Sequence, residues 1–334
     1  MRIVFMGTPD FAVPVFKALI EGGHEVTLAV TQPDRERGRG KAVSRCPVAA
    51  AADEAGIPVF QPLKLRVEEN VERIREEAPD AIVVAAYGQI LPQSVLSIPQ
   101  YGCINVHASL LPRLRGAAPI QWAVINGEEY SGVSIMQMDA GLDTGDVILQ
   151  EKVKLDPKET AESLYDKLAY LGGALLLDAL KQIEAGTAVR VPQDDAISTY
   201  APMLKKEMAR IDFARPAEEI ERGIRGRYPW PGSTARLNGK QLKIFAADVV
   251  PQAETGASGD VASPSSTEGS GTSGVAASSE ARCGEILRAD KSGILVQTGD
   301  GCLLITELQP EGKRRMATRD YLLGYPVQAG ERFE

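Results

Sequence analysis

The chain is poor in the residues that build metal and disulfide frameworks. It has two histidines, His24 and His107, and four cysteines, Cys46, Cys103, Cys283 and Cys302, none of them in a C-x-x-C pair. A zinc site is therefore not expected, nor is a disulfide frame. No stretch approaches the ~18 consecutive apolar residues of a membrane span. The opening MRIVFMGTPD has one early arginine and only a short apolar stretch, which reads as a strand and a turn, not a signal peptide. A cytoplasmic protein without a membrane partner is expected. The first strand is followed by Gly7-Thr8-Pro9 where a dinucleotide-binding chain would carry G-x-G-x-x-G, so nicotinamide chemistry is disfavoured. Internal repeats are also lacking. Positive charge is scarce: the net charge is −8, which alone argues against a nucleic-acid partner. Its distribution reopens that possibility, because residues 203–250 carry ten Lys and Arg against six Asp and Glu.

What is present is ordinary for a globular protein of about two domains, at 334 residues, 44% hydrophobic and 25% charged. Over the first 203 residues strand and helix signals alternate. Apolar runs at Ile3–Met6, Glu25–Thr31, Ala81–Ala86 and Cys103–Val106 are separated by helical periodicity, and a long helical stretch covers Thr160–Ala185. This alternation predicts an α/β domain with a parallel, Rossmann-like sheet over residues 1–203. Further along, short runs bounded by Gly and polar turns predict a small OB-like β-barrel over 204–334. Within it, 251–281 is rich in Ser, Gly, Ala and Thr without apolar periodicity, and reads as a flexible insertion.

Three segments could carry chemistry. In Cys103-Ile104-Asn105-Val106-His107, residues 105 and 107 share one face of a strand. At the C-terminal end of a sheet strand, an amide and an imidazole can bind a carbonyl oxygen and move a proton. A strand-end asparagine and a hydrogen-bonded core histidine would give the same pattern. The stretch from Asp139 to Asp146 places three acids in a Gly-rich loop. One of them could hold the imidazole, although Asp and Gly also favour plain turns. Arg35-Glu36-Arg37-Gly38-Arg39-Gly40-Lys41 is a cationic, glycine-loosened loop suited to phosphate contact or simply to solvation.

MGTPDFAVP, TQPDRERGRGK, AAYGQILP, GCINVHASLLPRLRGAAPIQ and GVSIMQMDAGLDTGDVI stand in the order seen in methionyl-tRNA formyltransferases, and the likeness continues through ARIDF and YPWPGS. The chain therefore resembles that family over nearly its whole length. The resemblance implies transfer of a formyl group from 10-formyltetrahydrofolate to methionyl initiator tRNA by a monomer, without a metal. It implies Asn105, His107 and Asp143 as a catalytic triad, with Asn105 and His107 at the developing oxyanion and Asp143 orienting His107. It also implies Ser109, Leu110, Leu111 and Pro112 as folate contacts, and Arg35, Arg37, Arg39 and Lys41 as tRNA contacts. The triad is shared with formyltransferases of glycinamide ribonucleotide and amino sugars, so it marks the chemistry and not the acceptor. A formyltransferase of a small amine and a non-catalytic tRNA-binding protein are the competing readings. Two departures stand out: the insertion at 251–281 is longer than usual, and Leu114 occupies a position where many relatives have Trp.

Overall fold

The computed structural model describes residues 1–37, 42–251 and 282–334, with side chains omitted over 35–43. The expected insertion therefore lies, beyond Pro251, outside the described residues. The chain divides into two compact units, Met1–Met203 and Leu204–Glu334.

The first unit opens with β1 (Arg2–Gly7), α1 (Ala12–Glu21) and β2 (Glu25–Val30). A short antiparallel pair follows, β3 (Arg35–Arg37) and β4 (Ala42–Ser44), then α2 (Pro47–Glu54), β5 (Val59–Phe60) and α3 (Glu68–Arg75). Next come β6 (Ala81–Ala85), α4 (Gln93–Leu96), β7 (Cys103–His107), α5 (Pro119–Asn126), β8 (Tyr130–Gln137), β9 (Val147–Lys154) and α6 (Ala161–Glu184). The main sheet runs β5-β2-β1-β6-β7-β8-β9. Its first five strands are parallel, as the Rossmann-like reading requires, whereas β8 and β9 are antiparallel additions. Only residues 138–146 join β8 to β9. That is too short for a parallel crossover, so a hairpin is the geometry available.

Alternate residues of β1 enter opposite cores. Ile3 and Phe5 pack with α1 and α6, while Val4 and Met6 pack with Val71, Ile74 and Val95. A sheet covered on both faces explains why β6 is continuously apolar and buried. Helix α6 is capped by a reciprocal Thr160–Ser163 pair. It lies close over β7 because Gly172 has no side chain there; a Cβ would come within 2.8 Å of Val106 Cγ1.

The second unit contains α7 (Ala217–Gly226), β10 (Ser233–Leu237), β11 (Lys240–Val250), β12 (Ile286–Asp290), β13 (Gly293–Gln297), β14 (Cys302–Pro310), β15 (Met316–Ala317) and α8 (Thr318–Gly324). Asn238-Gly239, both at positive φ, form the two-residue turn that joins β10 to β11. The strand order is β10-β11-β14-β13-β12. Residues 330–334 stitch the two edges together. Arg236 and Glu334 exchange backbone hydrogen bonds of 3.1 and 2.9 Å on the β10 side, and Ile286 N–H donates to Glu331 at 2.8 Å on the β12 side. Phe333 is thereby set into the core, where it stacks on Phe213 with ring centres 5.4 Å apart.

Candidate active site

Strand β7 carries Asn105 and His107 onto one face, and both are buried. The loop after β8 starts at the far end of β7, where Met138 N–H donates to Cys103 O at 2.8 Å. It then folds back along the strand until Asp143 Oδ2 stands 3.7 Å from His107 Nδ1. The three residues singled out for chemistry thus converge.

Each partner of the imidazole is held by backbone. His107 Nε2 lies 3.1 Å from Leu114 O. A carbonyl can only accept, so the ring donates from Nε2 there, and Nδ1 is the nitrogen turned towards the Asp143 carboxylate. Asp143 sits at φ +53°, a left-handed conformation that Asp tolerates better than most residues, and its Oδ2 accepts from Gly116 N–H at 2.8 Å. Leu114 is left-handed as well, at φ +56°, and its N–H donates to Thr199 Oγ1 at 2.8 Å. Leu114 thus serves His107 through its main chain.

A second layer comes from the segment that follows α6. Gln193 Nε2 donates to Asp143 O at 2.9 Å and to Gly145 O at 2.7 Å. Its Oε1 accepts from Arg115 at 3.1 and 2.9 Å, and Arg115 also pairs with Asp195 at 2.7 Å. No motif marks Gln193 or Thr199 in the sequence, and Arg115, although it lies within GCINVHASLLPRLRGAAPIQ, carries no role in the sequence reading.

Ser109–Pro112 leads away from β7 and is anchored from below. Ser134 Oγ donates to Ser109 O at 2.6 Å and accepts from Leu111 N–H at 3.0 Å, while Gln150 donates to Leu111 O at 2.8 Å. Ser109 Oγ is itself committed to Arg113 O at 2.7 Å. Leu110 and Pro112 are half-buried, so their surfaces and the loop backbone are what this segment offers a ligand.

Of the basic loop, Arg35 and Arg37 lie on β3, whereas Arg39 and Lys41 fall outside the described residues. The base of its hairpin is clamped. Arg45 makes a two-pronged contact with Asp53 at 2.7 and 2.9 Å and reaches Asp34 at 3.2 Å. Partial burial works against charge on Asp34, but hydrogen bonds from Gln61, the Cys46 N–H and Arg45 outweigh it and hold the carboxyl below its ordinary range. Among the described residues no group of His, Cys, Asp and Glu is placed to hold a metal, and no helix is long and apolar enough to cross a membrane.

Two family models match the chain: Formyl transferase over residues 1–180 and Formyl transferase, C-terminal domain over 203–326. The fold thus belongs to a formyltransferase. A methionyl-tRNA formyltransferase of Geobacter sulfurreducens is 47% identical across 99% of this chain and 96% of its own length. One from Lachnospira eligens is 49% identical across 99% and 98%. The chain belongs to the methionyl-tRNA formyltransferase family. Solved structures share the fold at lower identity. An N-formyltransferase from Helicobacter canadensis, in complex with folinic acid and dTDP-3-aminofucose, superposes with a TM-score of 0.60 at 15% identity, covering 94% of this chain and 99% of that one. HypX from Aquifex aeolicus, in complex with tetrahydrofolic acid, gives 0.60 at 18%, covering 96% and 47%.

Proposed function

We propose that this chain transfers the formyl group of 10-formyltetrahydrofolate to the free amine of methionyl initiator tRNA, giving formylmethionyl-tRNA. The observation that carries the acceptor is the identity of about 47% to methionyl-tRNA formyltransferases, which runs through both units of the chain. The donor fits the site by its chemistry. Leu142, 55% exposed and next to Asp143, sets an apolar surface beside hydrogen-bonding backbone, which suits a flat heteroaromatic ring.

When bound, the folate presents a formyl carbonyl to the acceptor amine. Asn105 donates its amide N–H to the formyl oxygen as negative charge collects there, an interaction worth about 3–4 kcal/mol in comparable sites. His107, whose Nε2–H is held by Leu114 O, takes the proton of the attacking amine on Nδ1, and Asp143 stabilises the imidazolium that results. The tetrahedral intermediate then collapses: the bond between the formyl carbon and the folate nitrogen breaks, and His107 returns the proton to that departing nitrogen, giving formylmethionyl-tRNA and tetrahydrofolate. The basic loop 35–41 and the second unit bind the tRNA, and the protein works as a cytoplasmic monomer.

The decisive assay follows labelled formyl groups onto initiator methionyl-tRNA, elongator methionyl-tRNA and small amines. Strong labelling of the initiator tRNA alone is expected. Labelling of a small amine instead would move the protein to the wider formyltransferase group.

A further inference from the structure

His107 is oriented by two neighbours, the Leu114 carbonyl on Nε2 and the Asp143 carboxylate beside Nδ1. Both neighbours sit in left-handed backbone, at φ +56° and +53°, which side chains other than glycine's adopt only when held there. Both are held by one stretch of chain. Residues 191–201 dock against the first unit by paired backbone bonds of 2.9 Å between Val191 and Val147, and by Ala201 N–H to Arg115 O at 2.7 Å. Between those two anchors the stretch sends in two side chains. Thr199 Oγ1 accepts from the Leu114 N–H at 2.8 Å, and Gln193 Nε2 bridges Asp143 O and Gly145 O at 2.9 and 2.7 Å. Arg115, with a side chain only 11% exposed, supports Gln193 from behind and continues into Gly116, whose N–H holds the Asp143 carboxylate.

We propose that Gln193 and Thr199 are positioning residues of the formyl-transfer reaction, which together set the tautomer and the orientation of the His107 imidazole. The inference rests on the catalytic reading of His107 given above. The Gln193 amide is committed to two backbone carbonyls and Arg115, and the Thr199 hydroxyl to the Leu114 N–H. Gln193 supplies the only two side-chain donors seen on the carbonyls of the Asp143 loop, among the described residues, and Thr199 supplies the acceptor for the Leu114 N–H. Loss of the Thr199 hydroxyl leaves the Leu114 N–H without its acceptor, and the turn is then held at Thr199 by the backbone bond of 2.9 Å from Arg115 N–H to Thr199 O. The Leu114 carbonyl is then held less firmly on Nε2, and the proton is less strictly confined to that nitrogen. Loss of the Gln193 amide releases the loop backbone at Asp143, so the carboxylate drifts from Nδ1.

The test uses the full chain with charged initiator tRNA and 10-formyltetrahydrofolate. Gln193→Glu keeps the size and the acceptor for Arg115 but cannot donate to either carbonyl. Thr199→Val keeps the shape without the acceptor, and Thr199→Ser restores it. A misplacement of about 1 Å costs on the order of 100-fold, so Gln193→Glu and Thr199→Val should lower kcat about 10- to 100-fold. KM for both substrates should stay near the parent values, and Thr199→Ser should recover most of the turnover. Because the chain has only two histidines, ¹⁵N-imidazole spectra resolve His107 directly. Thr199→Val should reduce its Nε2–H tautomer fraction, and Gln193→Glu should shift its Nδ1 resonance. The proposal is overturned by parental kcat in both variants, or by a fall in kcat with His107 resonances identical to the parent's. If the parent itself formylates no methionyl-tRNA, the functional reading fails, and the imidazole spectra still decide whether these side chains control the ring.

Discussion

One oxygen of Asp143 serves two masters: Oδ2 accepts from Gly116 N–H at 2.8 Å and lies 3.7 Å from His107 Nδ1. The first contact holds the loop and the second serves chemistry, so a substitution can separate them. Asp143→Asn keeps an oxygen for Gly116 and tolerates the left-handed backbone, but removes the charge. Thermal unfolding should stay close to the parent's while kcat falls about 10²- to 10⁴-fold, the range of acid–base groups. Asn105→Ala and His107→Ala should show comparable losses with charged tRNA still bound. Near-parental turnover in Asp143→Asn would mean that its charge plays no part.

Gly132 in β8 lies where a side chain cannot fit. A Cβ would stand 2.2 Å from Glu151 O and 2.6 Å from Leu110 Cδ2. Gly132→Ala should destabilise the first unit by about 1–3 kcal/mol through overpacking. By displacing Leu110 it should also raise KM for the folate. Denaturant unfolding and steady-state kinetics report the two effects separately, and an unchanged folate KM would detach Leu110 from the folate site.

Phe333 closes the second unit's core by stacking on Phe213 and is 2% exposed. Truncating such a ring costs about 3–5 kcal/mol. Phe333→Ala should therefore lower the unfolding transition of the second unit and leave that of the first in place. Calorimetry resolves the two. A single unaltered transition would show that residues 330–334 do not close the barrel in solution.

Asp34 sets a pH dependence at the base of the basic hairpin. Burial opposes its charge, but hydrogen bonds from Gln61, Cys46 and Arg45 prevail and place its folded-state pKa below the ordinary 3.8. The charged carboxylate therefore stabilises the fold above that value, and the contribution is lost as pH falls through the folded pKa. The stability difference between the parent and Asp34→Asn should be constant from neutral pH down to about 4 and shrink below it. A denaturant series at several pH values measures this, and a difference that grows in acid would reverse the assignment.

Arg39→Ala and Lys41→Ala test the basic loop. Both should lower the efficiency of formylation of initiator tRNA far more than they lower folate affinity. They should also narrow its advantage over elongator tRNA at fixed salt, since phosphate contacts are screened. If efficiency and ratio both survive, selection of the tRNA resides in the second unit.

The parts of this molecule that repeat a local pattern were legible in the sequence. The buried run 81–85 and the alternation around Asn105 and His107 identify their strands, because side-chain period and burial are short-range properties. The antiparallel direction of β8 and β9 is not legible there, since periodicity carries no information on strand direction. Nor could spacing show that Asp143, among the three acids of its loop, reaches His107; only the resemblance picked it out. Gln193 and Thr199 were invisible, because a lone glutamine or threonine acquires its meaning from the backbone group it meets.

The contacts that hold the imidazole's neighbours span long stretches of chain: 50 residues separate Gln193 from Asp143, and 85 separate Thr199 from Leu114. The sheet and α6 are complete by Glu184 and bury nearly all of the first unit's core without them. On a chain made from its N-terminus, residues 193 and 199 emerge after the sheet and α6. During synthesis the first unit therefore becomes compact before it becomes competent. A single proteolytic cut between residues 185 and 193 would leave that sheet standing with its histidine unaligned.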